Sequence, residues 1–181
     1  ANHADVVCVP ENLVVAVGDE SLVKYASITT IGAIALQGIR RAQLQLGETV
    51  CVMGLGLLGQ ITVELAKNAG CKVIGVDLLD DRLALAQSLG ADHVFKADSE
   101  SFEKDMAFLT GHKGVDCTLI TAATPSSSIV QQAMEVTRRK GKVVIVGDVG
   151  LDLQRNPLYK KEIDVLISCS YGPGRYDASY E

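Results

Sequence analysis

The feature that most constrains this chain is a recurring alternation of short apolar runs with segments of helical periodicity. Apolar runs at 49–53, 72–76, 93–95, 115–120, 142–146 and 163–169 are separated by helical stretches at 57–69, 80–89, 101–109 and 126–137. The runs are continuously apolar instead of alternating with polar residues, so both faces of each strand are covered, as happens when helices flank a parallel sheet. Right-handed crossovers then predict an α/β fold. Its sheet is doubly wound and parallel, with six strands in the order 3-2-1-4-5-6 and helices on both faces. Gly70, Gly90 and Gly141 follow helix ends and read as left-handed C-caps, and Gly47 closes a longer helical stretch over 21–46. Two Val-rich runs at 6–9 and 13–17, either side of Pro10-Glu11-Asn12, read as a hairpin-like remnant.

Between the first run and the helix after it lies Gly54-Leu55-Gly56-Leu57-Leu58-Gly59. A G-x-G-x-x-G pattern is weak by itself and gains meaning from its place directly after a strand and at the opening of a helix. There the unpaired amides of the first helical turn and the positive end of the helix dipole favour a diphosphate. Gly54 would make the tight turn, Gly56 would let the backbone approach the pyrophosphate, and Gly59 would let helix pack on strand, with Leu57 and Leu58 at the helix mouth. The alternative is a structural turn that binds nothing.

The second run ends at Asp77, close to the expected offset of about twenty residues from the glycines. A carboxylate at that point can accept both adenosine ribose hydroxyls and would repel the 2'-phosphate of NADP. An NADP site would offer a small residue there with a base just after it. This chain instead continues Leu78-Leu79-Asp80-Asp81 before Arg82, so the expected cofactor is NAD(H) and the expected domain a Rossmann domain. Asp80 reads as the N-cap of the helix over 81–89, and Arg82 either reaches the ribose side of the pocket or stands in solvent.

Other classes are disfavoured. With 22 acidic against 17 basic residues, a net charge of -5 and no long run of one sign, electrostatic capture of nucleic acid is not expected. No apolar stretch reaches the roughly 18–20 residues that cross a bilayer, and Ala1-Asn2-His3-Ala4-Asp5 lacks the plan of a signal peptide, so a cytoplasmic protein without membrane partners is expected. Cys8, Cys51, Cys71, Cys117 and Cys169 have no C-x-x-C spacing and read as reduced, buried thiols. His3, His93 and His112 stand far apart, so no metal site is expected. A methyltransferase would also place glycines after strand one and an acid after strand two, but the third glycine favours a dinucleotide.

Nearly the whole chain resembles the cofactor domain of the medium-chain dehydrogenase/reductase superfamily, the zinc alcohol dehydrogenase type. The likeness runs through Gln45-Leu46-Gly47-Glu48-Thr49-Val50, the glycine turn, Val73-Ile74-Gly75-Val76-Asp77, Ser88-Leu89-Gly90-Ala91-Asp92, Gly114-Val115-Asp116 and 141–147. The resemblance implies that Leu58 backs the nicotinamide, that Ala122 and Ala123 line the adenosine side, and that Val146, beside Gly147, meets the carboxamide by its backbone. Cys169 and Tyr171 would add backbone contacts there, and Leu78 stands as a further candidate cofactor-binding residue after Asp77.

By the same resemblance, residues 1–20 are a remnant of a GroES-like catalytic domain and 21–181 the NAD-binding domain, an excised piece. The stretch 170–177 is similar to one that precedes a second domain in bacterial two-domain oxidoreductases. The family's amino-terminal Cys and Gly-His-Glu zinc ligands are absent. Its remaining ligand position falls at Thr29 or Thr30, a poor donor, so this chain is expected to bind no zinc. The expected role is NAD(H) binding for hydride transfer to or from an alcohol, aldehyde or ketone in the full-length protein, with no catalytic residue assigned. A homodimer through the edge strand at 163–169 is also implied. A non-catalytic NAD-sensing module is the other reading.

Overall fold

A computed structural model describes residues 4–177, 179 and 180. Strands β1 (Thr49–Met53), β2 (Lys72–Asp77), β3 (His93–Lys96), β4 (Val115–Ile120), β5 (Thr137–Ile145) and β6 (Asp164–Ile167) form one sheet in the order β3-β2-β1-β4-β5-β6. Every pairing is parallel, as the doubly apolar runs require. Helices α1 (Val23–Ala26), α2 (Thr29–Ala42), α3 (Leu57–Asn68), α4 (Asp80–Ser88), α5 (Phe102–Leu109), α6 (Ser128–Val136) and α7 (Arg155–Lys161) make the connections and the covering layers.

Successive residues of one strand feed opposite layers, because side chains alternate across the pleat. Cys51 and Met53 join Phe102, Met106 and Met134 on the α5–α6 side, whereas Val50 and Val52 join Val63, Ala66 and Leu83 on the α3–α4 side. The chain runs outward from β1 to β2 and β3 and then returns to lay β4 on the other flank of β1. That reversal leaves a crevice above the carboxyl ends of β1 and β4, the place where open α/β sheets bind ligands.

The structure departs from the sequence reading in several places. The helical stretch over 21–46 is broken: segments 20–26 and 29–42 meet at a 58° bend, and Gln43, at φ 52°, ends α2 before Gly47 is reached. Gly70 and Gly90 are left-handed as expected, but at the third site Lys140 takes the left-handed conformation (φ 56°) and Gly141 lies within β5. That strand begins at Thr137, five residues earlier than its apolar run. The hairpin expected over 6–17 does not form. Residues 11–13 make a single 3-10 turn, and Val6, Val14 and Val15 are exposed, since two short strands with no third to pack on are marginal in water. Among the described residues no single helix is long and apolar enough to cross a membrane.

Candidate functional site

A cleft of about 800 Å³ opens at the crevice, and Gly54, Gly56, Asp77, Leu78, Arg82, Ala122 and Ala123 of the expected residues line it. Gly54 leaves β1 at φ 95°, donates to the Val76 carbonyl at 2.8 Å, and lies so close to the start of the next loop that a Cβ on it would fall 2.6 Å from Ala122 N. A Cβ on Gly59 would fall 2.0 Å from the Gly54 carbonyl oxygen, so this glycine is what lets α3 seat on the turn. Gly56 is different: a Cβ there would meet no protein atom within 4 Å. As the N-cap residue of α3 it also offers no side chain to the free amides of the first turn.

Asp77 ends β2 buried, with 7% of its surface exposed. Its Oδ2 accepts the Leu55 N–H at 2.6 Å and its Oδ1 accepts the Leu79 N–H at 3.0 Å, and Arg82 Nη1 stands 3.5 Å from Oδ2. The carboxylate thus ties the glycine turn to the start of α4. Asp80 does not cap α4 as expected: Leu79 is the N-cap residue, Asp77 accepts its N–H, and Asp80 pairs with Lys96 at 3.1 Å.

Seven expected residues do not line the cleft. Gly59 is buried behind the turn, Leu57 is 62% exposed at the mouth of α3, and Leu58 is half-buried. Val146 packs over Gly38, and Gly147 is pressed against the Ala122 carbonyl; both donate their N–H to Ile120 O at 2.9 Å. Cys169 and Tyr171 follow β6 at the same carboxyl-end rim, with the Cys169 carbonyl accepting the Gly172 N–H at 3.0 Å. The far end of the cleft escaped the sequence reading. It is lined by Ala97 and Asp98 after β3, by Thr121 and Thr124, and by Ser128 and Gln132 of α6. A polar doublet on an amphipathic helix reads as a solvated face, so only the placement of α6 brings it to the cleft. Thr121 Oγ1 donates to the Gly54 carbonyl at 2.5 Å and so braces the turn from the β4 side.

The donor set does not suit zinc. Thr29 and Thr30 are exposed at the start of α2, and among the described residues no three His, Cys, Asp or Glu side chains converge. His93 opens edge strand β3 and His112 lies in the loop before β4; His3 lies outside the described residues. Burial pushes the Cys51 thiol far up, the Cys117 thiol up to about 12 and the Cys71 thiol up, which opposes the thiolate that metals bind. Cys8 and Cys169 are exposed, contrary to the expectation of uniformly buried thiols.

A doubly wound parallel sheet with a glycine turn and a buried strand-end acid at its crevice defines the class. Residues 58–181 match the family described as zinc-binding dehydrogenase, and the chain belongs to that family, within the medium-chain dehydrogenase/reductase superfamily. A curated alcohol dehydrogenase of Rhizobium meliloti (strain 1021) is 34% identical over 122 residues, which are 67% of this chain and 35% of the relative. Among solved structures, 2R,3R-butanediol dehydrogenase from Bacillus subtilis superposes with a TM-score of 0.73 at 28% identity, over 80% of this chain and 42% of the other. A zinc-binding dehydrogenase from Sinorhizobium meliloti 1021, solved bound to NADP, gives a TM-score of 0.74 at 25% identity, over 85% of this chain and 47% of the other. The chain therefore spans about a third of the curated relative and less than half of these solved chains.

Proposed function

We propose that this chain binds NAD(H), and that in the full-length oxidoreductase it presents the nicotinamide for hydride transfer with an alcohol, aldehyde or ketone. The observation that carries this reading is the open space in front of Gly56 beside the buried Asp77 carboxylate. No protein packing calls for a glycine at 56, whereas a diphosphate seated on the amides of α3 would need the backbone bare at that point. Asp77 is already anchored by two amides and faced by Arg82 at Oδ2, whereas Oδ1 accepts one N–H and keeps an acceptor direction for a ribose hydroxyl. Among the described residues lining the cleft, Arg82 is the single cation, against Asp77, Asp98, Glu103 and Glu135. That balance supports NAD over NADP, because a 2'-phosphate would bring further negative charge to an acidic wall.

The bound cofactor would supply the hydride-accepting ring. This chain's residues would hold the pyrophosphate at α3, measure the sugar with Asp77 and position the ring at the rim near Leu58 and Val146. Hydride chemistry also needs a second wall to exclude water and a group to move the hydroxyl proton. We assign both to the remainder of the full-length protein, of which residues 1–20 would be the last part of the catalytic domain. The free edge of β6, where Ile167 is 53% exposed, supports pairing with a second copy.

Calorimetric titration tests the cofactor. NADH is expected to bind at least about tenfold more tightly than NADPH, equivalent to about 1.4 kcal/mol. Because Asp77 also holds the Leu55 amide, Asp77→Ala would weaken NADH as well as remove the preference. Asp77→Asn, which keeps an acceptor without the charge, would narrow the preference and retain most of the NADH affinity. Equal affinities in the unmodified chain would overturn the ribose argument.

A further inference from the structure

Behind the turn, four residues close a ring of polar contacts. Leu55 N–H donates to Asp77 Oδ2, the Arg82 guanidinium stands 3.5 Å from that same oxygen, and Gln60 Nε2 donates at 2.9 Å both to the Arg82 carbonyl and to the Leu55 carbonyl. Gln60 lies on α3 and is 6% exposed. Both donors of its amide are used, and they join the phosphate-type turn to the first turn of α4. The amide cannot turn over, since that would press Oε1 against two carbonyl oxygens. In the arrangement it keeps, Oε1 is buried with no partner. A buried acceptor left unsatisfied is costly, and a side chain present only to fill space would be apolar. The amide is retained for what its nitrogen holds.

What it holds is the backbone of Arg82. The arginine side chain is 49% exposed and its contact with Asp77 is loose, so the reach of the guanidinium is set mainly by where α4 begins. Held there, the cation faces the Asp77 carboxylate. Without that anchor the half-exposed guanidinium is less constrained to the carboxylate. Building on the NAD(H) reading above, we infer that Gln60 is a positioning residue for cofactor choice: it acts through Arg82 to keep that guanidinium, the single cation among the described residues lining the cleft, on Asp77 and away from NADP.

The test is a set of fluorescence titrations of the chain with NADH and NADPH, giving the ratio of their dissociation constants. Gln60→Met, which keeps length and loses both donors, is expected to reduce the preference for NADH by about fivefold or more. In an Arg82→Ala background the same change should leave the ratio within about twofold, because the residue through which Gln60 acts is gone. A residue that only stabilised the fold would shift both affinities together and leave the ratio alone. If Gln60→Met does not fold, Gln60→Asn, too short to span both carbonyls, is expected to move the ratio in the same direction. The inference is overturned if the ratio is unchanged in the folded Gln60 variants, or if it narrows equally with and without Arg82. If the unmodified chain shows no preference at all, the ribose reading falls first and this inference with it, a result distinct from the other two.

Discussion

Gly56 and Gly59, three positions apart in one turn, lack side chains for unrelated reasons. A methyl group on Gly59 would strike the Gly54 backbone carbonyl, which cannot yield without unseating α3. Gly59→Ala is therefore expected to destabilise the fold by about 1–3 kcal/mol, as overpacking does, and to lower Tm by about 2–4 °C for each of them. A Cβ on Gly56 would meet no protein atom within 4 Å, so Gly56→Val should lower Tm less than Gly59→Ala does while abolishing NADH binding. Thermal melts and titrations of the two variants side by side check the pair, and a Gly56→Val chain that still bound NADH would refute the placement of the diphosphate. The three glycines and Asp77 were legible in the sequence because spacing after a strand carries the chemistry. That Asp77 grips the turn through Leu55 was not, because a contact across 22 residues leaves no local pattern.

At the scale of elements, ends are set by what packs against them. The helical stretch over 126–137 is expected to close at Gly141, yet α6 stops at Val136 and Arg138-Arg139-Lys140 belong to β5. Arg138 is drawn to Asp116 at 2.6 Å, the Thr137 and Thr118 hydroxyls meet at 2.7 Å, and the Lys161 ammonium covers the Met134, Glu135 and Thr137 carbonyls that α6 leaves open. Tertiary partners replaced the next helical turn.

Asp92 plays a similar part between elements, accepting Lys67 Nζ of α3 at 2.9 Å and the Val73 N–H of β2 at 2.7 Å. Burial pushes its carboxyl up, but the Lys67 ammonium and the Val73 amide outweigh this and hold it below the ordinary 3.8. A carboxyl with a lowered folded-state pKa contributes stability above its unfolded value and loses it as pH falls through the folded one. Asp92→Asn should thus cost about 1 kcal/mol or less at pH 7, the pair being partly exposed, and the Tm gap to the unmodified chain should narrow as pH falls below 3.8. A gap that persisted in acid would remove the charge from the explanation.

Over the whole molecule, the sheet divides the thiols by access. Cys51, Cys71 and Cys117 lie in the core or against it, with burial raising all three, whereas Cys8 and Cys169 are exposed. A thiol reagent at neutral pH should label Cys8 and Cys169 in the folded chain and reach the other three only after denaturation, as mass spectrometry of labelled peptides would read out. Rapid labelling of Cys51 or Cys117 in the native state would contradict the packing of the central strands.

The amino-acid sequence by itself determined the layer architecture, the strand order and the place of the glycine turn between β1 and α3. Each follows from a local period or spacing: apolar runs that must be covered on both faces, crossovers of one hand, and a glycine where no side chain can stand. Only the tertiary structure decided where β5 begins, which helix face closes the far end of the cleft, and how Asp77, Leu55, Gln60 and Arg82 join in one ring. Those outcomes depend on groups distant in the chain being brought within about 3 Å, where directional hydrogen bonds outweigh the weak preferences of neighbours in sequence.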